Sequence, residues 1–127
     1  MQEKAGADIL LIEDEAEIRE LMSGVLKASG YTVMEAVDGE EAIAKYLDHP
    51  GTIRLVLTDL SLPKINGERV LETIRKADPR ARVVVCSGYL DEKKKSELHL
   101  LGATEMLDKP YSISRVLEVV ERVMDTP

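Results

Sequence analysis

The sequence predicts an α/β protein, a (βα)5 chain folded as a doubly wound, five-stranded parallel sheet. Three observations carry that reading. Five short apolar runs alternate with five segments whose apolar residues recur at helical spacing. The runs are apolar without a break, as in strands covered on both faces, and lack the in-and-out alternation of half-solvated strands. Such strand–helix alternation implies parallel strands, right-handed crossovers and helices on both faces. At 127 residues the chain has the length of about one domain and is long enough to bury a core. No repeat, low-complexity tract or linker divides it, so one domain is expected over residues 1–127, with its core at about 8–124.

Each element has its own justification. DILLIED, from Asp8 to Asp14, is the first strand, an apolar run closed by charge. EAEIRELMSGVLKASG follows as a helix with Ile18, Leu21, Met22, Val25 and Leu26 on one stripe, and Gly30 stops it. YTVMEA, from Tyr31 to Ala36, is the second strand. In DGEEAIAKYLDH, Asp38 is placed to cap a helix and Glu41 stands where a capping-box partner belongs. Its inward stripe is Ala42, Ile43, Tyr46 and Leu47. IRLVLTD is the third strand, and GERVLETIRKAD the third helix, with Val70, Leu71 and Ile74 inward and Pro79 closing it. ARVVVCSG is the fourth strand, and DEKKKSELHLLG a weaker helix ending at Gly102. ATEMLDK is the fifth strand. SISRVLEVVERVMD is the last helix, with Ile113, Val116, Leu117, Val120 and Val123 or Met124 inward.

Composition narrows the class. Hydrophobic content of 44% with 32% charged residues reads as a soluble globular protein, not a disordered one. A net charge of −7 argues against binding DNA by charge and favours partners that present a basic or apolar patch. The one cysteine, Cys86, excludes an internal disulfide and a CxxC metal site, and its apolar strand makes it an inert buried thiol. No run reaches the roughly 20 apolar residues of a membrane helix. The opening MQEKAGAD lacks the apolar core of a signal peptide, so the expected location is cytoplasmic. With no Phe and no Trp, the core must be aliphatic.

Open α/β sheets build their sites beyond the carboxyl ends of the strands. Those ends are Glu13-Asp14, Asp59, Ser87-Gly88 and Lys109-Pro110. Three carboxylates gathered there repel one another, and burial raises their pKa values further. A hard divalent cation such as Mg2+ would offset this, since it takes oxygen ligands. Lys109 adds a fixed positive charge and Ser87 a hydroxyl donor. The set suits a tetrahedral anion, with a carboxylate as nucleophile. Taken singly, each signal has a plainer reading. A Glu-Asp pair after a strand is ordinarily a helix N-cap region, and a strand-end Asp a cap or turn residue. Pro63 and Gly67 ordinarily shape a loop. Their coincidence at the same ends of a five-unit pattern points to a site.

The ordered set LIEDE, VLTDLSLPKINGERVLETIR, VVVCSGY and LDKPYS resembles the receiver domain of two-component response regulators, of the chemotaxis-receiver kind, over about Asp8 to Met124. The resemblance implies a flavodoxin-like sheet of order 2-1-3-4-5. It implies that Asp59 is the phosphoacceptor, loaded by a histidine kinase or a histidine phosphotransfer protein. Asp14, Asp59 and the Ser61 backbone carbonyl would bind Mg2+, with Glu13 acting largely through bound water. Ser87 would be the switch hydroxyl, and Lys109 would contact the phosphoryl group. The Lys109–Pro110 peptide would be cis. Charge at Asp59 would bias the surface formed by helix four, strand five and helix five, a surface also suited to a homodimer.

The chain departs from the family pattern in places. Glu13 stands for the commoner Asp and Ser87 for the commoner Thr. Met106, three before Lys109, occupies a switch position that often carries Tyr or Phe, and it has no ring to rotate. Tyr111 reads as packing at the core edge. Ser61 and Tyr89 stand where the family tunes phosphoryl lifetime, and Tyr89 is expected to shield the site in part. Lys93, Lys94 and Lys95 read as a solvated helix face, with a basic partner patch as the rival. His49 and His99 read as surface residues.

The expected function is a phosphoryl-accepting switch that catalyses its own loading and slow unloading and is not a turnover enzyme. An Mg2+-dependent phosphohydrolase would need an acid two residues beyond Asp59, where Ser61 stands. A pseudo-receiver that docks without phosphorylation is the other alternative; Met106 favours it and the intact acids, Ser87 and Lys109 oppose it. No DNA-binding or enzymatic output module is expected after Asp125-Thr126-Pro127, which fits a stand-alone single-domain regulator or a receiver cut from a longer protein; SGY and KPYS resemble receivers attached to hybrid sensor kinases and lean toward the second.

Overall fold

The computed structural model describes residues 8–88, 90–109 and 112–125. Five strands and five helices alternate: β1 (Ile9–Ile12), α1 (Ala16–Ala28), β2 (Val33–Ala36), α2 (Gly39–Asp48), β3 (Leu55–Asp59), α3 (Gly67–Ala77), β4 (Val83–Ser87), α4 (Glu92–Leu101), β5 (Glu105–Asp108) and α5 (Ile113–Asp125). The strands form one sheet in the order β2-β1-β3-β4-β5, and each pairing is parallel. This is the predicted (βα)5 architecture and strand order.

The unbroken apolar runs sort by parity, because successive strand residues face opposite sides. Leu10, Ile12, Val56, Val83 and Val85 pack with Ala42 and Tyr46 of α2, Val70, Leu71 and Ile74 of α3, and Leu98 of α4. Ile9, Leu11, Leu55, Leu57, Val84 and Cys86 pack with Met22 and Leu26 of α1 and the apolar line of α5. Among the described residues, Tyr46 is the one buried aromatic side chain, and its hydroxyl donates to Asp78 Oδ2 at 2.7 Å. Burial first and that hydrogen bond second push the Tyr46 phenol well above its ordinary range.

Three residues predicted to face inward do not. Leu21, Leu47 and Ile113 are exposed. A helix lying on a sheet buries only a narrow line of its surface. On α1 the place beside Met22 goes to Ser23, which is buried and donates from its hydroxyl to Glu35 Oε2 at 3.2 Å. On α5 the line runs Val116, Val119, Val120, Val123 and Met124, which adds Val119, and Ile113 falls in the first turn, at the helix end nearest the strand ends.

The caps follow the expectation with one shift. Asp38 Oδ1 accepts from Glu41 N–H at 2.8 Å, but the Glu41 carboxylate reaches back to Val37 N–H at 2.9 Å, one residue before the cap. Asp91 and Asn66 cap α4 and α3 in the same way. Gly102, at φ 106°, ends α4 in the left-handed region.

Candidate functional site

Parallel pairing brings the carboxyl ends of β1, β3 and β4 to one edge, with β3 between the other two. The chain order reverses between β1 and β3, the crevice where such sheets place their sites. Ile12 pairs with Thr58, so Glu13 and Asp59 are the next residues along on neighbouring strands. Asp59 pairs with Cys86, and Ser87 with Asp108, which leaves Lys109 just past the end of β5.

Asp59 is almost fully buried, yet both its carboxylate oxygens are engaged. Oδ1 accepts from the Ser61 backbone N–H at 3.1 Å. Oδ2 accepts from the Lys109 ammonium in a close ion pair. The Lys109 backbone N–H is tied to the Ser87 carbonyl at 2.8 Å, so the end of β4 fixes where the lysine starts. Burial works against the Lys109 charge, but its hydrogen bond to Asp59 and the charges of Asp59 and Glu13 outweigh it and hold the ammonium above its ordinary pKa.

Glu13 is as buried as Asp59, at 5% exposure. Desolvation pushes its carboxyl upward, and the charge of Asp59 adds to that push. The Glu15 backbone N–H, donating to Oε2 at 3.1 Å, and the charge of Lys109 pull the other way. Asp14 lies outside, exposed, on the turn into α1. Leu11, Ile12, Met22 and Leu57 floor Glu13 and Asp59 around a cavity of only about 10 Å³, which explains the desolvation.

The loop after Asp59 is shaped by close approaches. Gly67 N–H donates to Leu60 O at 2.9 Å, and a Cβ on Gly67 would lie 2.3 Å from Asp59 O. Only glycine fits there. Ile65 N–H returns to Pro63 O at 2.8 Å, a γ-turn with Lys64 at its centre at φ 67°. Lys64 Nζ lies 3.4 Å from Asp38 Oδ2, and a Cβ on Gly39 would meet Ile65 O at 2.2 Å, so the start of α2 is docked on this loop.

The carboxylates suit a hard divalent cation, and the like-charge and burial cost at Glu13 is the imbalance such a cation offsets. Among the described residues no three acidic, histidine or cysteine side chains already stand together as a metal-binding group. The cation in contact with Asp59 is Lys109 itself.

The remaining sequence candidates are placed as follows. Ser87 is half-buried at the end of β4. Met106, in β5, is half-buried against the core shared by α2, α3 and α4. Lys94 pairs with Glu68 at 3.2 Å and Glu97 at 3.5 Å, and Lys95 with Asp108 at 3.9 Å, which fits a solvated helix face better than a free basic patch. His49 Nδ1 is bonded to Lys45 O and His99 is exposed. Tyr89, Tyr111 and the Lys109–Pro110 peptide lie outside the described residues. Sequence reasoning missed Arg19, whose guanidinium reaches both Glu13 O and Glu35. Arg19 lies in α1 and its carboxylate partner in β2, so no local spacing signals the pair.

A larger concavity, of about 410 Å³, lies at the opposite end of the sheet among Arg54, Asp78, Arg80 and Arg82. It is remote from the strand-end acids. Among the described residues, no helix is long and apolar enough to cross a membrane.

Comparison with known proteins agrees with this geometry. The family model of the response regulator receiver domain matches residues 9–121. The chemotaxis protein CheY of Thermotoga maritima is 33% identical over 119 residues, 93% of this chain and 98% of that protein. The sensor kinase CckA of Brucella abortus is 31% identical over 94% of this chain, which matches 13% of that protein. The crystal structure of a CheX–CheY–BeF3–Mg2+ complex from Borrelia burgdorferi superposes with a TM-score of 0.87 at 28% identity, covering 93% of this chain and 89% of that one.

Proposed function

This chain belongs to the response regulator receiver domain family of two-component signalling, and from that premise we propose that Asp59 accepts a phosphoryl group from a phosphohistidine donor. The observation that carries the proposal is the double engagement of the buried Asp59 carboxylate by Lys109 and the Ser61 N–H, at the end of the central strand and beside Glu13.

Receiver domains work with histidine kinases and phosphotransfer proteins, and the donor here is of that class. An ionised Asp59 oxygen attacks phosphorus in line, the P–N bond breaks, and its electron pair leaves with the donor imidazole. Asp59 becomes an acyl phosphate. Lys109 shifts from the carboxylate to a phosphoryl oxygen, and the Ser87 hydroxyl donates to another. Glu13, Asp14, Asp59 and the Ser61 carbonyl are the groups that would hold Mg2+, which when bound neutralises charge on the phosphoryl oxygens. Neither loading nor slow hydrolysis makes the chain a turnover enzyme. The loss of the Lys109–Asp59 pair would be relayed to α4, β5 and α5, the face proposed for output and for a homodimer.

Met106 favours one other reading, a docking module with no phosphorylation control, because it fills core space with no ring to swing. A melting experiment separates the two. Mg2+ should raise the melting temperature, by an amount equivalent to about 2.7 kcal/mol at a hundredfold excess over Kd. Beryllofluoride with Mg2+ should raise it further, and Asp59→Asn should abolish that second increment. No response of the wild type to either would support the docking module.

A further inference from the structure

We infer that Arg19 is a positioning residue for the metal-holding turn: its guanidinium, shared between the Glu13 carbonyl and the Glu35 carboxylate, fixes the backbone that presents Glu13 and Asp14. The inference rests on the proposal that these two acids hold Mg2+.

Arg19 sits in α1, a helix with solvent on its outer side, yet its side chain is only 16% exposed. Nη1 donates to Glu13 O at 2.9 Å and Nε to Glu35 Oε1 at 3.2 Å. Glu35 is itself held. Its Oε2 accepts from the buried Ser23 hydroxyl at 3.2 Å, and its backbone oxygen accepts from Lys45 Nζ at 2.5 Å. The links therefore run from α1 and α2, through β2, to the last residue before the turn. Glu13 N–H still bonds Ala36 O at 3.1 Å, as a ladder would. With both its N–H and its C=O committed, the Glu13 main chain is fixed, and with it the peptide leading to Asp14. The planar guanidinium fork suits this double contact, and an ammonium on a flexible stem does not.

Arg19 donates to no carboxylate of the site. Its charge alone would weaken the binding of a cation nearby, whereas its hold on the turn should strengthen it. The two effects have opposite signs, so direct Mg2+ binding separates them.

The test is Mg2+ titration of the full chain by calorimetry and amide NMR, without phosphodonor, for wild type, Arg19→Met and Arg19→Lys. Partners that orient metal ligands typically contribute about 10- to 100-fold in affinity. Arg19→Met should therefore bind Mg2+ about 10-fold more weakly or worse despite losing a positive charge. Arg19→Lys, with its charge kept, should also bind more weakly. Equal or tighter binding by Arg19→Met overturns the inference, as does a lowered melting temperature with unchanged Mg2+ affinity. Should Arg19→Met fail to fold, Arg19→Lys, which keeps the charge and loses the fork, carries the same comparison. A wild type that binds no Mg2+ overturns the metal reading and this inference with it. A wild type that binds normally, with variants that match it, overturns the inference alone.

Discussion

Glu13 and Asp59 show how two like charges are kept out of water side by side. Asp59 has Lys109 and a backbone N–H; Glu13 has the Glu15 N–H and the more distant lysine. Burial therefore leaves Glu13 with a carboxyl pKa raised above its ordinary 4.5. In the folded chain Glu13 then holds its proton to higher pH than in the unfolded chain, so its contribution to stability falls as pH rises from about 4.5 through the raised value. Glu13→Gln removes that loss. Without Mg2+, urea midpoints of the variant should gain on those of wild type from pH 4.5 toward neutrality, and a constant difference would contradict the account. At this scale the sequence made Glu13, Asp14, Asp59 and Lys109 legible, because strand ends announce themselves where apolar runs stop. Arg19 was not legible. Its contacts are made across 16 residues to Glu35, and a charged residue beside a helix stripe looks like any solvated one.

At the scale of elements, the loop from β3 to α3 is tightly constrained. Gly67 lies against the main chain of Asp59 and Leu60, Lys64 takes a positive φ, and the start of α2 closes over Ile65. Gly67→Ala would drive a methyl into Asp59 O, so the loop must shift. The expected cost is about 1–3 kcal/mol in denaturant melts, together with a loss of Mg2+ response, since the shift displaces Ser61 and Asp59. A variant with wild-type stability and Mg2+ response would show that the close approach is not needed. The α2 cap was legible from Asp38, whose side chain can bond only a few residues ahead; Asn66 and Asp91, which cap α3 and α4 in the same way, were not singled out. The exposed Leu21, Leu47 and Ile113 were not. A heptad-like stripe fixes which side of a helix is apolar, but not how wide a line the sheet covers.

For the whole molecule, strand order assembles the candidate site. Placing β3 between β1 and β4 is what turns residues distant in sequence, Glu13, Asp59 and Lys109, into one site. The alternation of strand and helix made the parallel sheet legible, and parity along unbroken apolar runs explains why both faces are covered. Met106, expected at a switch position, is half-buried against the core shared by α2, α3 and α4. The central claim concerns Asp59, and intact-mass spectrometry after incubation with Mg2+ and a small acyl-phosphate donor tests it most directly. The account predicts a gain of one phosphoryl group by the wild type, lost without Mg2+ and absent in Asp59→Asn. No gain, even from a phosphorylated histidine donor, or an equal gain in Asp59→Asn, would contradict it.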